Sequence, residues 1–107
     1  ELRNGGFLSE KLSALLDDLR QDHDHIIIDG PPVLLANEAL MLACHADAIV
    51  YAVRWAKTPL NLIHRGLRAF DDIGHPVTGL VLSKVNIRKL RRLSADPYVD
   101  AIPTAQT

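Results

Sequence analysis

Apolar positions along the chain recur in two rhythms. Leu8, Leu12, Leu15, Leu16 and Leu19 fall three or four apart and form one stripe of a helix. With Ser9 as its capping side chain, this spacing predicts a helix over about 9–21. The preceding Asn4-Gly5-Gly6 reads as a connector. The second rhythm is unbroken: Ile26-Ile27-Ile28 has no polar alternation and ends in Asp29, followed at once by Gly30-Pro31-Pro32. Such a run predicts a strand buried on both faces inside a parallel sheet covered by helices. The prolines stop both strand pairing and immediate helix, because they lack an N–H and push the preceding residue out of the helical region. Asp29 is thereby left at the carboxyl end of the strand, the rim on which open α/β sheets bind ligands.

The same two rhythms continue to the end of the chain. Asn37 is a predicted N-cap for a short helix over about 38–45. Ala48 to Val53 is a second buried strand, with Arg54 at its carboxyl end. Thr58-Pro59 supplies a capping residue and a proline at the first helical position, opening a helix whose apolar side is Leu60, Ile63, Leu67, Phe70 and Ile73. Gly74 suits the left-handed position just past that helix, and His75-Pro76 confirms the break. Val77 to Leu82 is a third strand, Ser83 to Asn86 returns to the same rim, and a basic stretch follows as a helix or tail. The order predicts an α/β fold: a three-layer α/β/α arrangement on a mainly parallel sheet, with about three strands and three to four helices. Residues 1–94 form the predicted domain portion, and 95–107, with Pro97 and Pro103, the predicted flexible tail.

Composition changes little in this picture. With 48% hydrophobic and 23% charged residues the chain is globular rather than disordered. No apolar run approaches the ~20 residues of a membrane helix. At 107 residues it is short for a nucleotide-binding α/β domain, and it begins with Glu1 rather than Met, which suits a piece of something longer. The net charge of −1 hides an asymmetry: residues 1–80 hold seven Lys/Arg against eleven Asp/Glu, whereas Lys84, Arg88, Lys89, Arg91 and Arg92 follow with no acid among them. That cluster reads either as a solvated face or as a surface for phosphate, nucleic acid or an anionic membrane. One cysteine, Cys44, excludes an internal disulfide and reads as a small core residue. His23 and His25 are spaced by two, so their imidazoles diverge on entering a strand; surface positions fit them better than a metal site. His45, His64 and His75 have no partner in sequence.

Asp29 carries the chemistry. A fixed carboxylate at the end of an apolar strand suits a Mg²⁺ site beside nucleotide phosphates. It equally suits a carboxylate that accepts N–H groups of the following turn. The continuation Asp29-Gly30-Pro31-Pro32-Val33-Leu34 resembles the Asp-Ser/Thr-Pro-Pro segment of the deviant-Walker P-loop ATPases, most closely the bacterial tyrosine kinases of capsular and exopolysaccharide synthesis. Tyr51-Ala52-Val53-Arg54, Lys57-Thr58-Pro59 and Gly79-Leu80-Val81-Leu82-Ser83-Lys84-Val85-Asn86 follow in that family's order. The resemblance covers about residues 7–90. It implies that Asp29 is the Walker B aspartate, the catalytic carboxylate that holds Mg²⁺ through water. It also implies that Ser83, Asn86 and Arg54 lie on the ATP-binding side, near the base or a phosphate.

The resemblance implies, too, what is missing. No Gly-x-x-x-x-Gly-Lys-Ser/Thr occurs in the 107 residues, so the phosphate cradle and its lysine belong to an amino-terminal half upstream of Glu1. ATP and Mg²⁺ are then cofactors of the intact parent, and the chain by itself is expected to be inactive. The family's tyrosine cluster is represented by Tyr98 alone. The implied setting is cytoplasmic, at the inner face of the cell membrane as part of a longer protein. The implied partners are the Walker A half, further copies in a homo-oligomer and a membrane-associated polysaccharide export or co-polymerase component, with no nucleic acid. Arg54, Lys57 and Arg65 could face a phosphate or a neighbouring subunit. A partition- or septum-positioning ATPase fragment and a degenerate protein-binding module are the rival readings. An unpaired sheet edge predicts dimerisation or low stability in isolation.

Overall fold

The computed structural model describes the backbone of residues 2–103 and the side chains of residues 8–103. Its elements run α1 (Leu2–Asp22), α2 (Glu38–Ala43), β1 (Val50–Arg54), α3 (Leu60–Asp72), β2 (Gly79–Ser83), α4 (Ile87–Leu93) and α5 (Pro97–Asp100). Strands β1 and β2 pair in parallel, Val50 opposite Gly79 through Arg54 opposite Ser83. Thr78 ties the start of the pair: its Oγ1 accepts from the Ile49 N–H at 3.0 Å and its N–H donates to the Ile49 carbonyl at 2.8 Å. The Trp55 N–H, donating to the Ser83 carbonyl at 3.0 Å, closes the other end. A parallel pair joined by a helical crossover is the α/β unit the sequence predicts.

Several predicted boundaries move. Helix α1 starts at Leu2 and runs through Asn4-Gly5-Gly6, the expected connector. Adding turns to a formed helix requires no new nucleus, so weak formers are carried along. Ser9 therefore lies inside α1 and caps nothing; its Oγ instead meets His45 Nε2 at 2.8 Å, a link from α1 to the end of α2. Asn37 precedes α2 but is itself helical in φ and ψ, and its side chain accepts no N–H. Thr58 also leaves its predicted role: its Oγ1 accepts from the Arg54 N–H at 3.1 Å, closing the loop before α3. Cys44 is exposed rather than in the core, its Sγ donating to the Leu40 carbonyl at 3.4 Å.

The largest correction concerns the run before Asp29. Residues 25–31 form no strand and make no backbone hydrogen bond among the described residues, and Ile27 is 93% exposed. A strand needs a neighbour to complete its ladder, and no described segment pairs with this one. The described sheet accordingly has two strands where the sequence predicts three.

The helix after β1 matches its prediction at the end and departs along its face. Gly74 takes φ 76°, its N–H donating to the Asp71 carbonyl at 2.9 Å while the His75 N–H reaches the Phe70 carbonyl at 3.1 Å. These two bonds are the Schellman cap that a glycine at this position permits. Inside α3 the buried positions are Gly66 and Phe70, whereas Leu60 and Ile73, at the two ends of the predicted stripe, are exposed. Tyr51 of β1 lies over Gly66 and meets Phe70 edge-on, ring centroids 6.0 Å apart. Any Cβ at position 66 would collide with the Tyr51 hydroxyl and ring.

Beyond β2, Asn86 caps α4 by accepting the Lys89 N–H at 3.0 Å, and Asp96 caps α5 by accepting the Tyr98 N–H at 2.9 Å. Arg91 fastens this last part, donating to the carbonyls of Asp100 at 3.1 Å and Ile102 at 2.7 Å. The apolar core is thin. Among the described residues only Leu16, Ala39, Ala43, Val53 and Phe70 are buried apolar side chains. The radius of gyration is 17.4 Å, against about 13 Å for a compact domain of this length.

Candidate functional site

The carboxyl ends of β1 and β2 open into two loops that face each other. From β1 the chain turns through Arg54 to Thr58, held by the Lys57 and Thr58 N–H groups on the Arg54 carbonyl at 3.2 and 3.0 Å and by the Thr58 Oγ1 bond. Ala56 sits at φ 58° at the apex of this turn. From β2 the chain passes through Lys84, at φ 55°, to the cap at Asn86. Both are non-glycine residues in the left-handed region, where the side chain crowds the backbone; such strain collects at ligand-binding loops. No sequence signal marks either position, since alanine and lysine are not residues that favour this conformation.

Between these loops lies a cleft of about 290 Å³ lined by Arg54, Trp55, Ala56, Lys57, Lys84, Asn86 and Lys89. Arg54, Lys57, Lys84 and Lys89 are exposed, and among the described residues none of the four forms an ion pair. Four cations without an ion pair among the described residues and a half-buried indole put positive charge and one aromatic face around this small cleft, groups able to meet an anion. Two of the predicted residues, Arg54 and Asn86, are brought together here. Ser83 lies just behind, its Oγ donating to the Val53 carbonyl at 3.2 Å, so in this chain it ties the strand ends together. The Asn86 oxygen is engaged by the α4 cap, which leaves its amide NH₂ as the group free for a ligand. Lys57, offered to a phosphate beside Arg54 by the sequence, and Lys84 and Lys89 of the basic stretch complete the cleft.

Asp29 belongs to a second, larger cavity of about 550 Å³. It shares that cavity with Pro31, Pro32, Val53 and Thr58, the last two from the end of β1 and the loop after it. Its carboxylate is exposed and accepts no hydrogen bond among the described residues. The turn that follows is closed without it, by the Leu35 and Ala36 N–H groups on the Pro32 carbonyl at 3.1 and 3.2 Å. Of the two roles open to Asp29 from sequence, capping the turn is the one its side chain does not take among the described residues. One such oxygen donor suits Mg²⁺, which keeps several waters and takes few protein ligands. No set of three His, Cys, Asp or Glu side chains among the described residues converges as a metal site; His23 Nδ1 instead bonds the Leu19 carbonyl at 3.1 Å. No described helix is long and apolar enough to cross a membrane. Arg65 and Arg68 are exposed on α3, away from the cleft lining.

Comparison with known proteins gives this arrangement a context. The chain is 29% identical over 77 residues to the tyrosine-protein kinase ptk of Acinetobacter johnsonii, covering 72% of this chain and 10% of that protein. It is 27% identical over 86 residues to the succinoglycan biosynthesis transport protein ExoP of Rhizobium meliloti, covering 80% of this chain and 11% of ExoP. With the tyrosine-protein kinase CpsD of Streptococcus agalactiae it shares 26% identity over 74 residues, 69% of this chain and 32% of CpsD. The chain thus spans between about a tenth and a third of the length of these relatives. No protein-family profile matches it, and no solved structure does.

Proposed function

We propose, for a chain whose homologues are bacterial tyrosine-protein kinases, that these residues are the carboxyl-terminal part of a P-loop ATPase domain of the tyrosine-kinase type, serving exopolysaccharide or capsule synthesis and export. The observation that carries the reading is Asp29: a carboxylate without a partner among the described residues, placed between an apolar run and a Pro-Pro turn, on a cavity shared with the end of β1. In this reading the full fold is the three-layer α/β/α arrangement with further strands supplied by the rest of the domain. Asp29 would hold Mg²⁺ and so help to position the nucleotide's phosphates. Arg54 and the amide of Asn86 meet the nucleotide from the cationic cleft, with Ser83 behind them. Mg²⁺ supplies charge neutralisation on the phosphates when bound.

The donor set is partial by design of the chain. Phosphoryl transfer depends on positioning and on neutralising charge from several sides. These residues supply one carboxylate and a cationic cleft, and no glycine-rich cradle. Catalysis then belongs to the longer protein, in which Asp29→Asn should lower ATP-dependent tyrosine phosphorylation by about a hundredfold or more while leaving the circular dichroism spectrum unchanged. Undiminished phosphorylation by that variant would overturn the assignment of Asp29. ATP hydrolysis by the 107-residue chain alone, lost in Asp29→Ala, would overturn the division of labour.

A further inference from the structure

Helix α4 carries its charges against its own stability. Successive residues of a helix step round its axis by about 100°. Ile87, Leu90 and Arg91, all half-buried, therefore fall on one side, and Arg88, Lys89, Arg92 and Leu93, all exposed, share the opposite arc of about 140°. No acid lies on α4, and among the described residues none of the three exposed cations forms an ion pair. Arg88 and Lys89 stand in the first turn, where the helix dipole disfavours cations. Arg88 and Arg92 are a like-charged pair one turn apart, which also destabilises a helix. Leu93, on the same arc, is 72% exposed. The exposed side of α3 differs: Arg65 and Arg68 are accompanied by Asp71 and Asp72, the mixture of signs that suits a face meeting only water.

We propose that the outer arc of α4, formed by Arg88, Lys89, Arg92 and Leu93, is a docking surface for an anionic phospholipid membrane. Each feature that is unfavourable in water becomes favourable there. Headgroup phosphates neutralise the first-turn cations and relieve the like-charged pair, while the long Arg and Lys stems keep those charges at phosphate level as Leu93 enters the acyl boundary. Lys89 also lines the cationic cleft, so Arg54, Lys57 and Lys84 extend the positive field beyond the helix. Arg91, on the packed side, fastens the carbonyls of Asp100 and Ile102 beside α4, and the short helix so held adds Tyr98, 84% exposed. Its acid Asp96 is engaged as the α5 cap. A free phosphate or nucleotide in the 290 Å³ cleft reaches Lys89 but not Arg88, Arg92 or Leu93, which do not line it. A nucleic acid would meet the cations and leave Leu93 in water. With one leucine on a seven-residue helix, the contact is dominated by charge, and so requires anionic lipid and weakens with salt.

The test is flotation of the 107-residue chain with phosphatidylcholine vesicles, with and without about a third phosphatidylglycerol; self-associated protein sinks and is not counted. At low salt the anionic vesicles should float at least about ten times more protein than the neutral ones, and about 0.5 M salt should remove the difference. Arg88→Glu/Arg92→Gln should abolish flotation; a glutamate in the first turn favours the helix, so the loss is not a loss of α4. Arg65→Glu/Arg68→Gln, which changes the net charge equally but on α3, should float as the wild type does. Leu93→Ser should lower flotation about fivefold. Equal flotation with neutral vesicles, equal loss in the two double variants, or no effect of Leu93→Ser would overturn the proposal. So would tighter binding to a labelled DNA duplex than to the anionic vesicles at the same salt, which would make nucleic acid the occupant. No nucleotide or metal enters the experiment, so this surface and the role of Asp29 can fail separately.

Discussion

At the scale of single residues, the close approach of Tyr51 to Gly66 links β1 to α3. The glycine is a poor helix former, and alanine in its place would ordinarily stabilise a helix by about 1 kcal/mol. Here the added methyl would overlap the tyrosine hydroxyl and lie 2.7 Å from ring carbon Cζ, so the ring must swing out of its contact with Phe70. Overpacking of this kind costs about 1–3 kcal/mol. Gly66→Ala should therefore lower stability to urea in the wild-type background. In a Tyr51→Ala background, where the obstruction is gone, the same substitution should raise stability by about 1 kcal/mol. A change of equal sign in both backgrounds, measured by equilibrium unfolding, would show that the ring does not rest on this glycine.

At the scale of elements, α4 depends on one side chain. Asn86 accepts the Lys89 N–H and is the side chain that caps a helix of seven residues, too short to hold by propensity alone. Asn86→Ala should cost about 1 kcal/mol and release α4 amides to exchange, while Asn86→Asp, which keeps the accepting oxygen, should restore protection. If the nucleotide reading of Asn86 is right, the aspartate variant will regain the helix without regaining nucleotide affinity, because it lacks the amide NH₂.

Elements whose signals are local were legible in the sequence, and those that depend on a partner were not. Gly74 marked the end of α3 because only a left-handed residue continues the chain there, and Val53-Arg54 marked the end of β1. Three isoleucines marked a strand that the described residues do not contain, since a β-ladder is a property of two segments. Asn37, Ser9 and Thr58 looked like caps by residue type. Their hydroxyl or amide groups took no such bond, or took distant ones that composition does not reveal. Of the candidate site, Arg54 was placed by the end of β1, Asp29 by a strand that the described residues do not form, and Asn86 by the resemblance. The left-handed backbone at Ala56 and Lys84 was not legible, because the two closing loops rather than residue type set it.

At the scale of the whole molecule, apolar surface is the dominant feature. Five buried apolar side chains among the described residues and a two-stranded sheet are little to hold a fold of this length. The outer edge of β2 presents Leu80, Val81 and Leu82, each between 42% and 52% exposed, beside open main-chain groups. Such an edge invites pairing between copies. Sedimentation velocity of the 107-residue chain should show mass rising with concentration, and Leu82→Lys should suppress the rise by putting a charge on that edge. A monomer at all concentrations, unfolding cooperatively, would contradict both this expectation and the reading of the chain as part of a larger domain.

The cationic cleft has a further consequence. Trp55 is the chain's one tryptophan and forms part of the cleft wall beside Lys57 and Lys84. All of the indole fluorescence of this polypeptide therefore originates at one place, the mouth where the β1 and β2 loops meet. Any anion that enters displaces water from that ring and alters its emission, so the protein carries its own optical reporter of occupancy, with no label to introduce and no second indole to subtract.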